Sequence, residues 1–174
     1  LIALLLTINY SWMDKALIGF LIEGKEINVT RVIDGDTIET DTGERVRLLG
    51  INTPEKGGEY YQQAKEFLEN TILNKTTRLE YGKDKTDRYE RTLAYVFLGF
   101  ENINQKIIEN GFANPYFPSG RDNYYNKFYD SWEKCVENNA NYCEKSNNTC
   151  ASCINIKEFD AENEIIVFEN TCNF

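Results

Sequence analysis

Residues 28–49 read Asn28-Val29-Thr30-Arg31-Val32-Ile33-Asp34-Gly35-Asp36-Thr37-Ile38-Glu39-Thr40-Asp41-Thr42-Gly43-Glu44-Arg45-Val46-Arg47-Leu48-Leu49. Apolar β-branched residues alternate with polar ones at a period of two, which puts one face of an extended chain in a core and the other in water. The alternation is interrupted at Asp34-Gly35 and at Thr42-Gly43, dipeptides suited to tight turns. The stretch therefore predicts a three-stranded meander, with strands at 28–33, 36–40 and 45–49.

Downstream, residues 50–58 contain Pro54 and three glycines, the composition of a loop of functional length. From Glu59 onward, Tyr60, Ala64, Phe67, Leu68 and Ile72 recur at helical spacing. Two more strands are predicted at 77–81 and 91–98, joined by the charged stretch 82–90. Five strands with a helix after the third is the layout of a small Greek-key β-barrel of the oligonucleotide-binding kind, an α+β fold. Asn102 is placed to cap a second helix that runs to Asn110 and stops at Gly111. A third is predicted over 121–139, where Tyr125, Phe128, Tyr129, Trp132, Cys135 and Val136 follow spacings of three and four. That stripe is read as core packing in preference to a base-stacking platform. After Ala140 the composition turns to Asn, Cys and acid, and 154–168 returns to strand-like content. The predicted organisation is an apolar segment at 1–27, the barrel at 28–140 and a small Cys-rich β tail at 141–174.

Composition bounds the chemistry. The chain has 174 residues, of which 41% are hydrophobic and 13% aromatic, enough to pack one core. It has no histidine, so mechanisms that need an imidazole base, nucleophile or metal ligand are excluded. A net charge of −9 argues at face value against a nucleic-acid partner. Its distribution weakens that argument. Residues 28–130 hold 14 basic and 17 acidic side chains, whereas 131–174 hold three and eight, so a positive cleft in the middle is compatible with the sum.

Two apolar runs, 1–8 and 16–22, fall short of the roughly 18 residues of a membrane span. They read as the remainder of a secretory segment or anchor, with a buried N-terminal element as the alternative. Sequons at Asn28, Asn74 and Asn147 agree with export to a secreted or cell-surface location, and loose membrane association through the N-terminus is the corresponding expectation. The five cysteines, Cys135, Cys143, Cys150, Cys153 and Cys172, all lie near the C-terminus. One C-x-x-C pair is half of a zinc-ribbon pattern. Two disulfides among Cys143, Cys150, Cys153 and Cys172 are therefore favoured over zinc, leaving Cys135 as the odd thiol.

Three segments carry polar groups that a turn or strand alone does not require: Asp34-Gly35-Asp36-Thr37, then Arg47-Leu48-Leu49-Gly50-Ile51-Asn52-Thr53-Pro54-Glu55, then Thr86-Asp87-Arg88-Tyr89-Glu90-Arg91-Thr92-Leu93-Ala94-Tyr95. In order and spacing, over roughly residues 28–135, they resemble the staphylococcal nuclease, or thermonuclease, family. The resemblance implies a calcium-dependent phosphodiesterase that cleaves DNA and RNA and leaves 3′-phosphate ends. It implies Asp36, Asn52 and the Thr53 carbonyl as calcium ligands, and Glu55 as the group that orients or deprotonates the attacking water. Arg47 and Arg91 would grip the phosphate from two sides, Arg88 and Tyr89 a neighbouring phosphate, and Tyr116 the edge of the nucleotide pocket. Single strands would be preferred as substrate. A monomer without a protein partner is expected.

The sequence departs from the family at three places. Asn52 stands where aspartate is usual, which removes one ligand charge and predicts weaker calcium binding. The loop after Glu55 is shorter, and Glu90 replaces a usual glycine. Residues 153–170 are similar to the first strands of a lamin-tail domain, against the simpler reading of a disulfide-clipped tail. A nuclease-like barrel that binds nucleic acid without cutting it is the alternative function. The joint presence of Asp36, Arg47, Glu55 and Arg91 favours the enzyme, because a binding barrel has no need of all four.

Overall fold

The computed structural model of the chain describes residues 24–148, 153–160 and 165–172. The apolar N-terminal runs and Cys150 lie outside the described residues. The elements in order are β1 (Lys25–Asp34), β2 (Thr37–Thr40), β3 (Arg45–Leu48), β4 (Ile51–Asn52), α1 (Tyr61–Ile72), β5 (Thr76–Thr86), β6 (Thr92–Leu98), β7 (Glu101–Asn102), α2 (Ile103–Glu109), β8 (Asn114–Pro115), α3 (Tyr125–Asn138), a 3₁₀ turn (Asn141–Cys143), β9 (Ile154–Asp160) and β10 (Ile165–Asn170).

The strands pair in the order β3-β2-β1-β5-β6, and a parallel β3–β6 contact closes them into the five-stranded barrel that the sequence predicts. β7 extends β6 by one short antiparallel pairing. The inward positions of the strands, among them Val29, Val32, Ile38, Val46, Leu48, Leu79 and Val96, are all buried. The helices add to this core: α1 turns Ala64, Leu68 and Ile72 inward, and α2 and α3 contribute Ile103, Ile107, Ile108 and Phe128. Asn102 caps α2 as expected, its side chain accepting from the Gln105 N–H at 3.1 Å.

Three local expectations are corrected. β5 does not end at 81. It arches through 82–85, four residues that β6 does not match, and rejoins it at Thr86↔Thr92. The third helix begins at Tyr125 rather than at 121. Asp122 instead forms a turn, in which its carboxylate accepts from the Tyr124 N–H at 2.9 Å and from the Tyr95 hydroxyl. Cys135 is not the odd thiol. Beyond α3 the chain reverses at Asn139, held at φ 55°, and returns as the 3₁₀ turn, which sets Cys143 against buried Cys135 as a disulfide. The Tyr142 N–H bonds the Gly111 carbonyl at 2.9 Å and the Asn141 amide bonds that of Asn110 at 2.8 Å, so the same turn is fastened to the end of α2. Gly111 sits at φ 69°, and a Cβ there would run into the Ala140 carbonyl. A second disulfide, Cys153–Cys172, closes the antiparallel β9–β10 hairpin.

The turn between β5 and β6 has an unusual backbone. Asp87 accepts from the Tyr89 and Arg91 N–H groups at 2.9 and 3.0 Å, and the Glu90 N–H bonds the Asp87 carbonyl at 3.1 Å. These bonds place Glu90 at φ 62°, a left-handed conformation that costs a side-chain-bearing residue about 1 kcal/mol or more.

Two stability outcomes are expected. Glu90→Gly should raise the unfolding free energy by about 1 kcal/mol in a urea titration, since glycine adopts that φ freely; a lower value would mean that the Glu90 side chain supports the turn. Replacing Cys135 and Cys143 together by Ser should cost about 2 kcal/mol, the chain-entropy scale for so short a loop, and an unchanged midpoint would show that the 3₁₀ turn is held by its hydrogen bonds alone.

Candidate active site

The two-residue link between β1 and β2 carries Asp36 to the barrel rim. Asp34 shapes this link, its carboxylate accepting from the Asp36 N–H at 3.3 Å. Gly35 lets it lie close against the body: a Cβ there would be 2.9 Å from the Ala64 Cβ and 3.0 Å from Thr53. Asp36 is 7% exposed. One carboxylate oxygen takes the Thr53 hydroxyl at 3.0 Å, the Thr53 N–H at 3.3 Å and the Arg47 guanidinium at 2.9 Å; the other takes the Thr37 hydroxyl at 3.0 Å. Burial pushes the Asp36 carboxyl up to about 6, against the pull of Arg47 and with a further push from Asp34.

Arg47, on β3, is fixed at both terminal nitrogens. One donates to the Leu48 carbonyl at 2.7 Å; the other meets Asp36 and, at 3.4 Å, the Asn52 side-chain oxygen. Four of the predicted residues, Asp36, Arg47, Asn52 and Thr53, thus form one connected cluster. The Asn52 side chain is directed toward it by β4, whose partner β8 pairs Asn114 with Asn52.

Arg91 is held in a separate manner. Its Nε and one terminal nitrogen both lie 2.7 Å from the same Asp87 carboxylate oxygen, a side-on ion pair. Burial works against the Asp87 charge, but its bonds to Arg91 and to the Tyr89 N–H win and keep the carboxyl below its ordinary range. Tyr89, 63% exposed, lies between two cations, with Arg88 4.7 Å and Arg91 5.5 Å from its ring centre.

Parallel pairing of β3 with β6 sets Arg47 beside Leu93, two residues beyond Arg91. Both arginines line one cleft of about 530 Å³, walled by Leu48, Leu49, Leu93 and the arched 82–84 segment. Tyr116 and Phe117 form another wall, and the Tyr116 N–H is tied to the Gly50 carbonyl at 2.8 Å. Arg88 and Tyr89 stand outside the lining. Glu55 lies on the exposed loop after Thr53. Among the described residues no three of His, Cys, Asp and Glu gather in a way that could hold a metal ion. Near Asp36 the other oxygen donors named from the sequence are an amide and a carbonyl.

Two cleft-lining residues were not singled out from the sequence. Asp87 lies within a quoted segment and orients Arg91; its position four residues before an arginine was the available signal. Arg121, which lines the cleft from the segment before α3, sits in a run with no such signal.

Comparison with known proteins supplies the context. The profile of the family described as "Staphylococcal nuclease homologue" matches residues 45–146. The thermonuclease of Staphylococcus intermedius is 41% identical over 112 residues, 59% of this chain and 67% of that protein. The thermonuclease of Staphylococcus hyicus is 42% identical over 98 residues, 51% of this chain and 58% of the relative. An uncharacterized endonuclease of Haemophilus influenzae is 34% identical over 107 residues, 59% of each protein. The chain thus spans between a little over half and two thirds of the length of these relatives. With the family profile covering more than half of a chain that also builds the expected barrel, this protein belongs to the staphylococcal nuclease homologue family.

Proposed function

We propose that the chain is a calcium-dependent endonuclease that hydrolyses phosphodiester bonds of DNA and RNA, with single strands preferred, and leaves 3′-phosphate ends. The observation that carries this reading is the pair of arginines on one cleft, each oriented by its own carboxylate, Arg47 by buried Asp36 and Arg91 by Asp87. A binding barrel needs positive charge on its surface, but it does not need each arginine held in place by a carboxylate of its own. The names of the relatives, thermonuclease and endonuclease, point the same way.

The donor set suits a hard cation. Asp36, the Asn52 amide oxygen and the Thr53 carbonyl offer oxygen alone, and the Asp36 carboxylate is buried beside a second carboxylate with one guanidinium as counter-charge. These three residues would hold calcium, which would supply positive charge to the phosphate. Arg47 and Arg91 bind the phosphoryl oxygens, where planar, permanently charged guanidinium groups meet the charge that develops as water attacks. Arg91 spends Nε and one terminal nitrogen on Asp87, which sets the direction in which the rest of its fork faces the cleft. Glu55, exposed on its loop, orients or deprotonates the water. Arg88 and Tyr89 contact a neighbouring phosphate, and Tyr116 forms the edge of the base site. Export to the cell exterior is part of the reading, because both disulfides require an oxidising compartment to persist.

Hydrolysis of denatured DNA by the purified chain tests this. Activity should require calcium and vanish on chelation. Glu55→Gln should lower the rate by about 10² to 10⁴, and Arg91→Ala by about 10² to 10³. Undiminished rates in both variants would remove the assigned site, and absence of calcium-stimulated hydrolysis would favour the binding module.

A further inference from the structure

The stripe on α3 divides once it is folded. Phe128 and Cys135 are fully buried, but Tyr129 remains 41% exposed and Tyr125 half-buried on the adjoining face. These two tyrosines, one turn apart, stack with ring centres 4.5 Å apart and planes at 34°. Tyr125 in turn meets Phe117, a cleft-lining residue, at 5.2 Å, and the Arg121 guanidinium covers the Tyr125 ring at 4.5 Å. A row of rings therefore runs from the cleft wall to the open face of α3, with one cation beside it.

Packing alone does not account for this row. Phe128 already fills the core beneath it, in contact with Tyr95, Tyr124 and Phe117. An exposed Tyr129 stacked on half-buried Tyr125, continuous with a cleft that holds two fixed arginines, is instead an arrangement that receives a further base of a flexible strand, because every base presents a face to a ring.

We propose that Phe117, Tyr125 and Tyr129, with Arg121, form a second nucleotide subsite that stacks at least one base of a single-stranded nucleic acid beyond the nucleotide in the cleft. The proposal rests on the cleft being the primary nucleotide site. Arg121 reaches the phosphate between the two positions, and the exposed Tyr129 ring, backed by Tyr125, takes the base without regard to its identity. The substrate this favours is a strand of several nucleotides rather than a dinucleotide.

Two probes separate this subsite from the cleft. Thymidine 3′,5′-bisphosphate, titrated with calcium present, reports the cleft alone. A fluorescent octathymidylate, followed by anisotropy under chelation so that it is not cut, reports the cleft and the second subsite together. Tyr125→Leu combined with Tyr129→Leu should weaken octamer binding about tenfold, within the range for loss of base stacking, and leave bisphosphate binding unchanged. Tyr129→Leu alone, at an exposed position, should give a smaller loss in the same direction and serves as the readout if the double variant is unstable. Octamer affinity equal to wild type in a folded variant overturns the subsite while bisphosphate binding preserves the primary reading. A wild-type chain that binds neither probe overturns both.

Discussion

Everything at the site depends on the parallel contact between β3 and β6. Three register pairs, Val46↔Thr92, Arg47↔Leu93 and Leu48↔Ala94, join strands that are far apart in sequence and convert an open sheet into a barrel. A buried amide supports the closure. Asn104, fully buried on α2, accepts from the Val96 N–H at 2.9 Å and donates to the Leu49 carbonyl at 2.8 Å, while the Leu49 N–H bonds the Ala94 carbonyl at 3.0 Å. Ala94 and Val96 are buried and Leu49 half-buried, and leaving a buried backbone group without its partner would cost about 1 to 3 kcal/mol. The closure therefore fixes Arg47 relative to Arg91, and it also fixes Asp36, whose carbonyl accepts from the Leu48 N–H at 2.8 Å.

The same construction accommodates an acidic protein with a cationic cleft. Net charge is −9, yet Arg47, Lys83, Arg91 and Arg121 line the cleft against three aspartates, of which Asp87 is committed to Arg91 and Asp122 to Tyr95 and the Tyr124 N–H. Local geometry rather than the sum sets the potential that a phosphate meets. The arginines are oriented in advance at the expense of backbone strain at Glu90, on the turn that carries Arg91. Asn52 is a second departure from the family pattern, and it accepts from Arg47 where a carboxylate would compete with Asp36 for the same guanidinium.

The meander and all three helices were legible because their signals are local: period two, period 3.6, and Asn or Gly at the ends. The barrel itself followed from five strands with a helix after the third, but the register of its closure was not legible, since two three-residue segments in parallel register leave no pattern in either strand. The arch at 82–85 read as a connection because its charged residues lack alternation, although they are carried by a strand that departs from its partner and rejoins it. The Cys135–Cys143 pair escaped for a related reason: the link depends on a left-handed Asn139 that reverses the chain, and nearest-neighbour reasoning gave the C-x-x-C motif more weight. In the site, Asp36, Arg47, Asn52 and Thr53 were nameable by motif. That Arg47 joins them through one guanidinium, and that Arg91 is held independently by Asp87, became visible only with the chain folded.

If the closure makes Arg47 and Arg91 a single grip on one phosphate, their contributions to binding must be coupled. Calorimetric titration of a nucleoside 3′,5′-bisphosphate with calcium into wild type, Arg47→Lys, Arg91→Lys and the double variant measures that coupling directly. The account predicts a loss in each single variant and a double loss clearly smaller than their sum. Losses that add to within about 0.5 kcal/mol, or no loss in either single variant, would contradict it.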